Sequence, residues 1–135
     1  HHVVFVLDKT GNDNSILYID GTAKETIAGV GTLSGTFSKM SIGQSTADGG
    51  FWKGSIDEVA FWSRAITPAE VALIYAGGHA SGGSQGIDLA GQMGLGLVGY
   101  FRFEEKGGTV ALNSSPEGYT DGTYVNTPTF QSIHS

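Results

Sequence analysis

A chain of 135 residues, 39% of them hydrophobic, has room for one domain with its own core. Its formal charge of −6 argues against nucleic acid or an anionic membrane as partner, because both call for basic patches. It has no cysteine, which excludes disulfides, thiolate metal sites and cysteine nucleophiles, and no apolar run of the roughly 18 residues a membrane-spanning helix needs.

The 22 glycines and the scarcity of helical patterns point to many turns and strands. Val3–Asp8 reads as the first strand, with Val3, Phe5 and Leu7 on one face and Val4 and Val6 on the other. The chain enters this strand directly at His1-His2, without a leading Met or signal peptide, as expected of a processed product or a fragment. Residues 9–14 form a polar turn, and Ser15–Ile19 is the next strand. Asp20-Gly21 predicts a tight hairpin, from which Thr22–Ile27 returns antiparallel. Gly29–Gly35 reads as a loop, Lys39–Gly43 as a short strand, and Gln44–Gly50 as a polar loop.

Ser55–Trp62 reads as a strand with apolar groups on both faces. Asp57 and Glu58 are neighbours on it and project to opposite faces, so they cannot serve as acid and base on one substrate. Thr67-Pro68-Ala69-Glu70 starts a helix of about two turns, with Thr67 as cap, Pro68 at the first position and Glu70 closing a capping box. Val71, Ile74 and Tyr75 line one face of it, and Gly77-Gly78 is expected to end it. Residues 77–96 are dense in Gly, Ser, Ala and Gln and read as a linker or an external crossover. Leu97–Glu104 is a further strand, expected to turn Leu97, Phe101 and Phe103 one way and Tyr100, Arg102 and Glu104 the other.

The stretch from Gly54 to Tyr75, GSIDEVAFWSRAITPAEVALIY, resembles the closing signature of LamG-like jelly-roll domains of the laminin G/concanavalin A-like superfamily. That signature runs G-x-I-D-E-V, an aromatic pair, an R-A-L-like triplet with Ile66 here for Leu, then a short helix ending in L-x-Y. Leu17-Tyr18-Ile19-Asp20-Gly21 and His1-His2-Val3 fit the same pattern, the latter lacking only its leading Trp. Tyr100–Phe130 resembles the family's opening signature, with Glu104 for its usual Asp, Asn113 for the Asp before Ser114-Ser115, and Lys106 interrupting the glycine spacing. The order is therefore inverted, and the middle strands of the family are not recognisable. Residues 1–76 are the closing half, 77–96 the connection and 97–135 the opening strands. Three arrangements fit this order: a chain that straddles two repeats, a circular permutant, and a chain that shares strands with a neighbour.

The resemblance implies an all-β, antiparallel two-sheet jelly-roll sandwich with one short helix, permuted or strand-shared. It implies a non-catalytic binding module, extracellular or on a cell or virion surface, that recognises a glycan or a protein neighbour. A structural subunit of a filament, fibre or phage capsid, self-assembled by strand sharing, is the alternative. A degraded glycosidase relative is a third, but the E-x-D-x-x-E spacing of such enzymes is missing. Trp52, Tyr100, Arg102 and Tyr119 are the candidate ligand-binding residues, because exposed rings stack on sugars and flanking polar groups bond to them. Trp52 fits a surface role and a core plug equally. The family also implies one Ca²⁺ site, for which Asp57, Glu104, Asn113 and Asp121 are candidates. The competing readings are a backbone-bonded Asp57, an Asx-turn at Asn113 and a plain hairpin at Asp121-Gly122. The four His at positions 1, 2, 79 and 134 lie at the ends or in the connection, away from any catalytic constellation.

Overall fold

The computed structural model describes residues 1–8, 14–29, 40–45, 49–79, 89–92, 95–125 and 128–130. The expected turn over 9–13, the loop over 30–35, Lys39 and His134 lie outside them. In chain order come β1 (Val3–Asp8), β2 (Asn14–Ile19), β3 (Thr22–Ile27), β4 (Val59–Trp62), α1 (Pro68–His79), α2 (Leu89–Gln92), β5 (Leu97–Phe101), β6 (Val110–Ala111) and β7 (Gly122–Thr123). All described strand pairings are antiparallel: a sheet ordered β1-β2-β3, a β4-β5 ladder and a β6-β7 ladder. The architecture is all-β with short helices, consistent with a concanavalin A-like sandwich.

The first sheet forms as its sequence dictates. Asp20 and Gly21 both take positive φ, 52° and 73°, which is the two-residue hairpin an Asp-Gly pair favours. Gly21 is required twice over, since a Cβ there would also lie 2.9 Å from the Tyr75 ring. Val6 and Tyr18 are buried with Val4 and Ile16 beside them, against Ile66 and Val71. Val3 and Phe5, on the opposite face of β1, are exposed.

The capping box of α1 is present. Glu70 N–H donates to Thr67 Oγ1 at 3.2 Å, and Thr67 N–H donates to Glu70 Oε2 at 2.6 Å. Arg64 adds a bidentate pair to the same carboxylate, at 3.0 and 2.6 Å. The helix does not stop at Gly77-Gly78 but runs to His79, longer than the two turns expected. Tertiary packing of Val71, which is fully buried, and of Ile74 holds it in spite of the glycines.

Three further expectations change. No strand forms over 40–43, where a single bridge, Gln44 to Phe51, replaces it. β4 begins only at Val59, because Glu58 turns into the left-handed region at φ 53°. The 77–96 segment is not wholly external: α2 lies within it, and Leu89 is buried against Leu97 and Tyr100.

The largest correction is in β5. Trp62 pairs with Leu97 and Phe61 with Gly99, which leaves Val98 as an extra residue in a bulge. One extra residue exchanges the faces. Leu97 and Tyr100 therefore share a face with Ala60 and Trp62, and all four pack into one cluster with Leu89 and Ile74. Tyr100 is 3% exposed, not outward-facing. Trp62 and Ile74 also touch the Val6–Tyr18 cluster, so they join the two clusters into one core.

Candidate functional site

The opposite side of the β4-β5 ladder opens on a cleft of about 780 Å³. One wall is formed by residues 40–44 and 51–57, which are bonded to each other. Ser45 N–H donates to Gly50 C=O, and Trp52 N–H donates to Gly43 C=O, both at 2.8 Å. These bonds set Phe51 and Trp52 at the rim, 61% and 64% exposed. The indole lies over Gly54, whose missing side chain makes room: a Cβ there would sit 3.0 Å from the ring nitrogen.

The other wall is a row of rings. Phe101 and Phe103 stack at 6.2 Å, Phe103 meets Tyr124 at 6.2 Å, and Tyr124 meets Phe130 edge-on at 5.1 Å. Gly122 lets the Phe101 ring pass under β7, where a Cβ would come within 3.3 Å of it. Glu105 anchors this wall. It accepts bonds from Leu112 N–H and from the Tyr124 hydroxyl, each at 2.8 Å. Partial burial works against the charged carboxylate, but these bonds outweigh it and hold Glu105 below the ordinary range. Burial, and then Glu105, push the Tyr124 phenol up to about 12. Tyr124 therefore stays a neutral hydrogen-bonding group at any physiological pH.

Among the described residues, Asp57 is the one carboxylate lining the cleft, where Ser41, Gln44, Ser55, Thr123 and Thr129 also supply polar side chains. Asp57 Oδ1 accepts the Glu58 N–H at 3.0 Å. Glu58 itself turns to the packed side, where it accepts the Tyr100 hydroxyl and lies 3.7 Å from Arg102. The two neighbouring acids thus serve opposite sides, although neither lies in β4 and the positive φ of Glu58, not strand alternation, separates them. Hydrolysis of a glycosidic bond uses two carboxyl groups facing the same bond, an arrangement the described cleft residues do not form.

The ligand-binding candidates separate. Trp52 lines the cleft. Tyr100 is core. Arg102 is not among the cleft residues; it donates to Glu104 at 3.0 Å and lies 3.7 Å from Glu58. Tyr119 is exposed but outside the cleft, with its carbonyl taken by Asn113 Nδ2 at 3.4 Å. Sequence reasoning missed Phe51, Phe103, Tyr124 and Phe130. Phe103, expected to share a face with Leu97 and Phe101, lines the cleft with Phe101 but not with Leu97, half-buried, at a positive φ of 53°. The run Tyr124 to Phe130 carries an aromatic at each end, and that was the available signal.

Of the four calcium candidates, Asn113 and Asp121 are bonded to each other, Glu104 pairs with Arg102 and Asp57 lines the cleft. Asn113 Oδ1 accepts from Tyr100 N–H at 2.9 Å and Ser115 N–H at 3.0 Å, the second being an Asx-turn. Its Nδ2 reaches two carbonyls, so the amide is committed to joining β5 to the following loop. Asp121 accepts Asn113 N–H at 2.8 Å, and Glu104 is held by Arg102. Among the described residues no group of three or more His, Asp or Glu side chains is placed to hold a metal ion. A Ca²⁺ cage draws on carboxylate, amide and main-chain oxygens that converge on one point, and the side chains of Glu104, Asn113 and Asp121 are each engaged in bonds within the chain.

Among the described residues no helix is long and apolar enough to cross a membrane. No curated protein and no solved structure matches the chain. The family model of the concanavalin A-like lectin/glucanases superfamily, in its laminin G form, matches residues 1–72, more than half of the sequence. That span holds the first sheet, the Phe51–Trp52 rim, the Asp57-Glu58 pair and the cap of α1, and the chain belongs to the concanavalin A-like lectin/glucanase superfamily.

Proposed function

We propose that the chain is a non-catalytic binding module that seats a neutral glycan in the aromatic cleft, outside the cell or on a particle surface. The observation that carries this reading is the pairing of an exposed, positioned indole at Trp52 with a wall of four rings across an open cleft of about 780 Å³. Sugar faces stack on such rings, and a small number of polar groups fixes their orientation. The net charge of −6 favours neutral over sulfated or phosphorylated chains. The single carboxylate in the described cleft supports binding rather than hydrolysis. No step of this reading runs through calcium.

The β4-β5 pairing supports a permuted arrangement, in which residues 1–76 and 97–135 build one core. A second reading, a structural subunit that shares strands with its neighbours, is favoured by the apolar β1, which is an outer strand of its sheet among the described residues. The glycan reading is tested by screening the immobilised chain against neutral oligosaccharides. Saturable binding to one class, abolished by Trp52→Ala and retained by Tyr119→Ala, is expected. Equal binding by all three proteins would place the ligand elsewhere, and no binding to any neutral sugar would refute the reading.

A further inference from the structure

Among the described residues, three that are not glycine take a left-handed backbone: Asp20, Glu58 and Phe103, at φ of 52°, 53° and 53°. Asp20 belongs to its Asp-Gly hairpin, which calls for that conformation. Glu58 and Phe103 lie in no hairpin, and neither is a residue type that enters this region readily. Each stands just beyond a strand where the β4-β5 ladder runs out at its Val59–Phe101 pair. Both also border the cleft: Asp57, which lines it, precedes Glu58, and Phe103 lines it directly. A backbone in this region persists where its surroundings hold it, and such places gather at sites of function.

The hold on Glu58 comes from the packed side. Its carboxylate accepts the Tyr100 hydroxyl and lies 3.7 Å from Arg102. Arg102 in turn donates to Glu104, so Phe103 sits between two members of the same chain of bonds. The members are unequal. Arg102 and its two acids are each roughly half exposed, and ion pairs of that kind contribute little. Tyr100 is buried, with its N–H on Asn113 Oδ1 at 2.9 Å and its C=O accepting Ser114 N–H at 2.8 Å. Its hydroxyl therefore starts from a fixed place, and a bond from it to a carboxylate is of the stronger, charge-assisted kind.

We propose that Tyr100 is a positioning residue of the cleft: its hydroxyl holds Glu58 in the left-handed turn, and that turn sets the Asp57 carboxylate in the cleft as an acceptor for the ligand. Asp57 Oδ1 accepts the Glu58 N–H at 3.0 Å, so the direction of the carboxylate follows the backbone of the turn. With β4 in place, a change of φ at Glu58 swings the residue before it, and Asp57 with it. A carboxylate accepts several bonds at once, so the bond that orients Asp57 is compatible with its accepting sugar hydroxyls. The ring of Tyr100 belongs to the core and its hydroxyl to the site on the other side of the ladder. The inference rests on the glycan reading of the cleft and names the groups that fix its acceptor.

The test is amide hydrogen exchange of the wild type, Tyr100→Phe, Glu58→Gly and the double variant, with titrations of each against neutral hexaoses, cellohexaose and maltohexaose among them. Tyr100→Phe keeps the buried ring and removes only the hydroxyl. It should speed exchange of the Glu58 amide about fivefold or more. The Leu112 amide, held by Glu105 on the other wall, should stay as it is. Glycine enters positive φ freely, so Glu58→Gly removes both the strain and the side chain that Tyr100 holds. On that background Tyr100→Phe should change nothing further at position 58, as expected of a residue that acts through Glu58. Binding should follow the same pattern: Tyr100→Phe weakens it about fivefold in the wild-type background and has no added effect beside Glu58→Gly. Equal acceleration at Leu112, or the same effect of Tyr100→Phe in both backgrounds, would mean a loosened core and overturn the inference. No binding of any hexaose by the wild type, with the exchange pattern as expected, would uphold Tyr100 as the residue that positions Asp57 and count against the glycan reading.

Discussion

The two faces of the β4-β5 ladder carry similar residues to different ends. On one, Trp62, Leu97 and Tyr100 close against Leu89 and Ile74. On the other, Phe101 leads to Phe103, Tyr124 and the exposed Trp52 around an open cleft. Aromatic content does not separate core from site here. What separates them is which side has a layer over it, and the Val98 bulge decides which residues fall on which side. Stability should therefore depend on the first face and recognition on the second.

Substitutions can break that division. The largest effect is expected from Leu97→Ala, since Leu97 is fully buried between β4 and α2. It should cost about 3 kcal/mol in denaturant unfolding, and a loss below about 1 kcal/mol would mean that this face is not a packed core. Gly21→Ala comes next, forcing a side chain into a positive φ of 73° and against Tyr75. It should lower stability by about 2 kcal/mol and be read as a drop in Tm.

Glu70→Gln removes the charged half of the capping box and of the Arg64 pair, at a cost of about 1–2 kcal/mol near neutral pH. The Arg64 hydrogen bond, with help from Thr67, holds the Glu70 carboxyl down to about 2. A lowered pKa stabilises the fold above the unfolded value, near 4.3, and that contribution disappears as pH falls toward the folded value. The stability gap between wild type and Glu70→Gln should therefore be full above about pH 5 and close progressively toward pH 2, as followed by urea unfolding at a series of pH values. The smallest effect belongs to the other face: Trp52→Ala should change stability by less than about 0.5 kcal/mol. A larger loss would make Trp52 a core plug.

Local signals were legible in the sequence, and long-range ones were not. Thr67-Pro68-x-Glu70 specifies its own cap, and Asp20-Gly21 its own turn, because each involves bonds within a few residues. The Asx-turn at Asn113 is of the same kind, although the metal reading competed with it. Tyr100 was misplaced because alternation assumes no bulge, and nothing local in Leu97-Val98-Gly99-Tyr100 announces one. The cleft was out of reach for a different reason. Its walls come from residues 40–44 and 51–57 on one side and 101–125 and 128–130 on the other, and their approach depends on β5 returning to pair with β4. Sequence reasoning singled out Trp52 as a candidate but had no means of placing the Phe103–Tyr124–Phe130 row in the same cleft.

The chain has two tryptophans, Trp62 half-buried where the two core clusters meet and Trp52 open at the cleft rim, so their emission reports the two faces separately. The most direct test is a fluorescence titration with the neutral oligosaccharide that binds best, on the wild type and on Trp52→Phe. The account predicts a saturable change in the wild type that vanishes in Trp52→Phe, with binding itself retained by the substituted ring. A change that persists in Trp52→Phe, or saturable binding with no change at Trp52, would contradict the assignment of the cleft as the site of recognition.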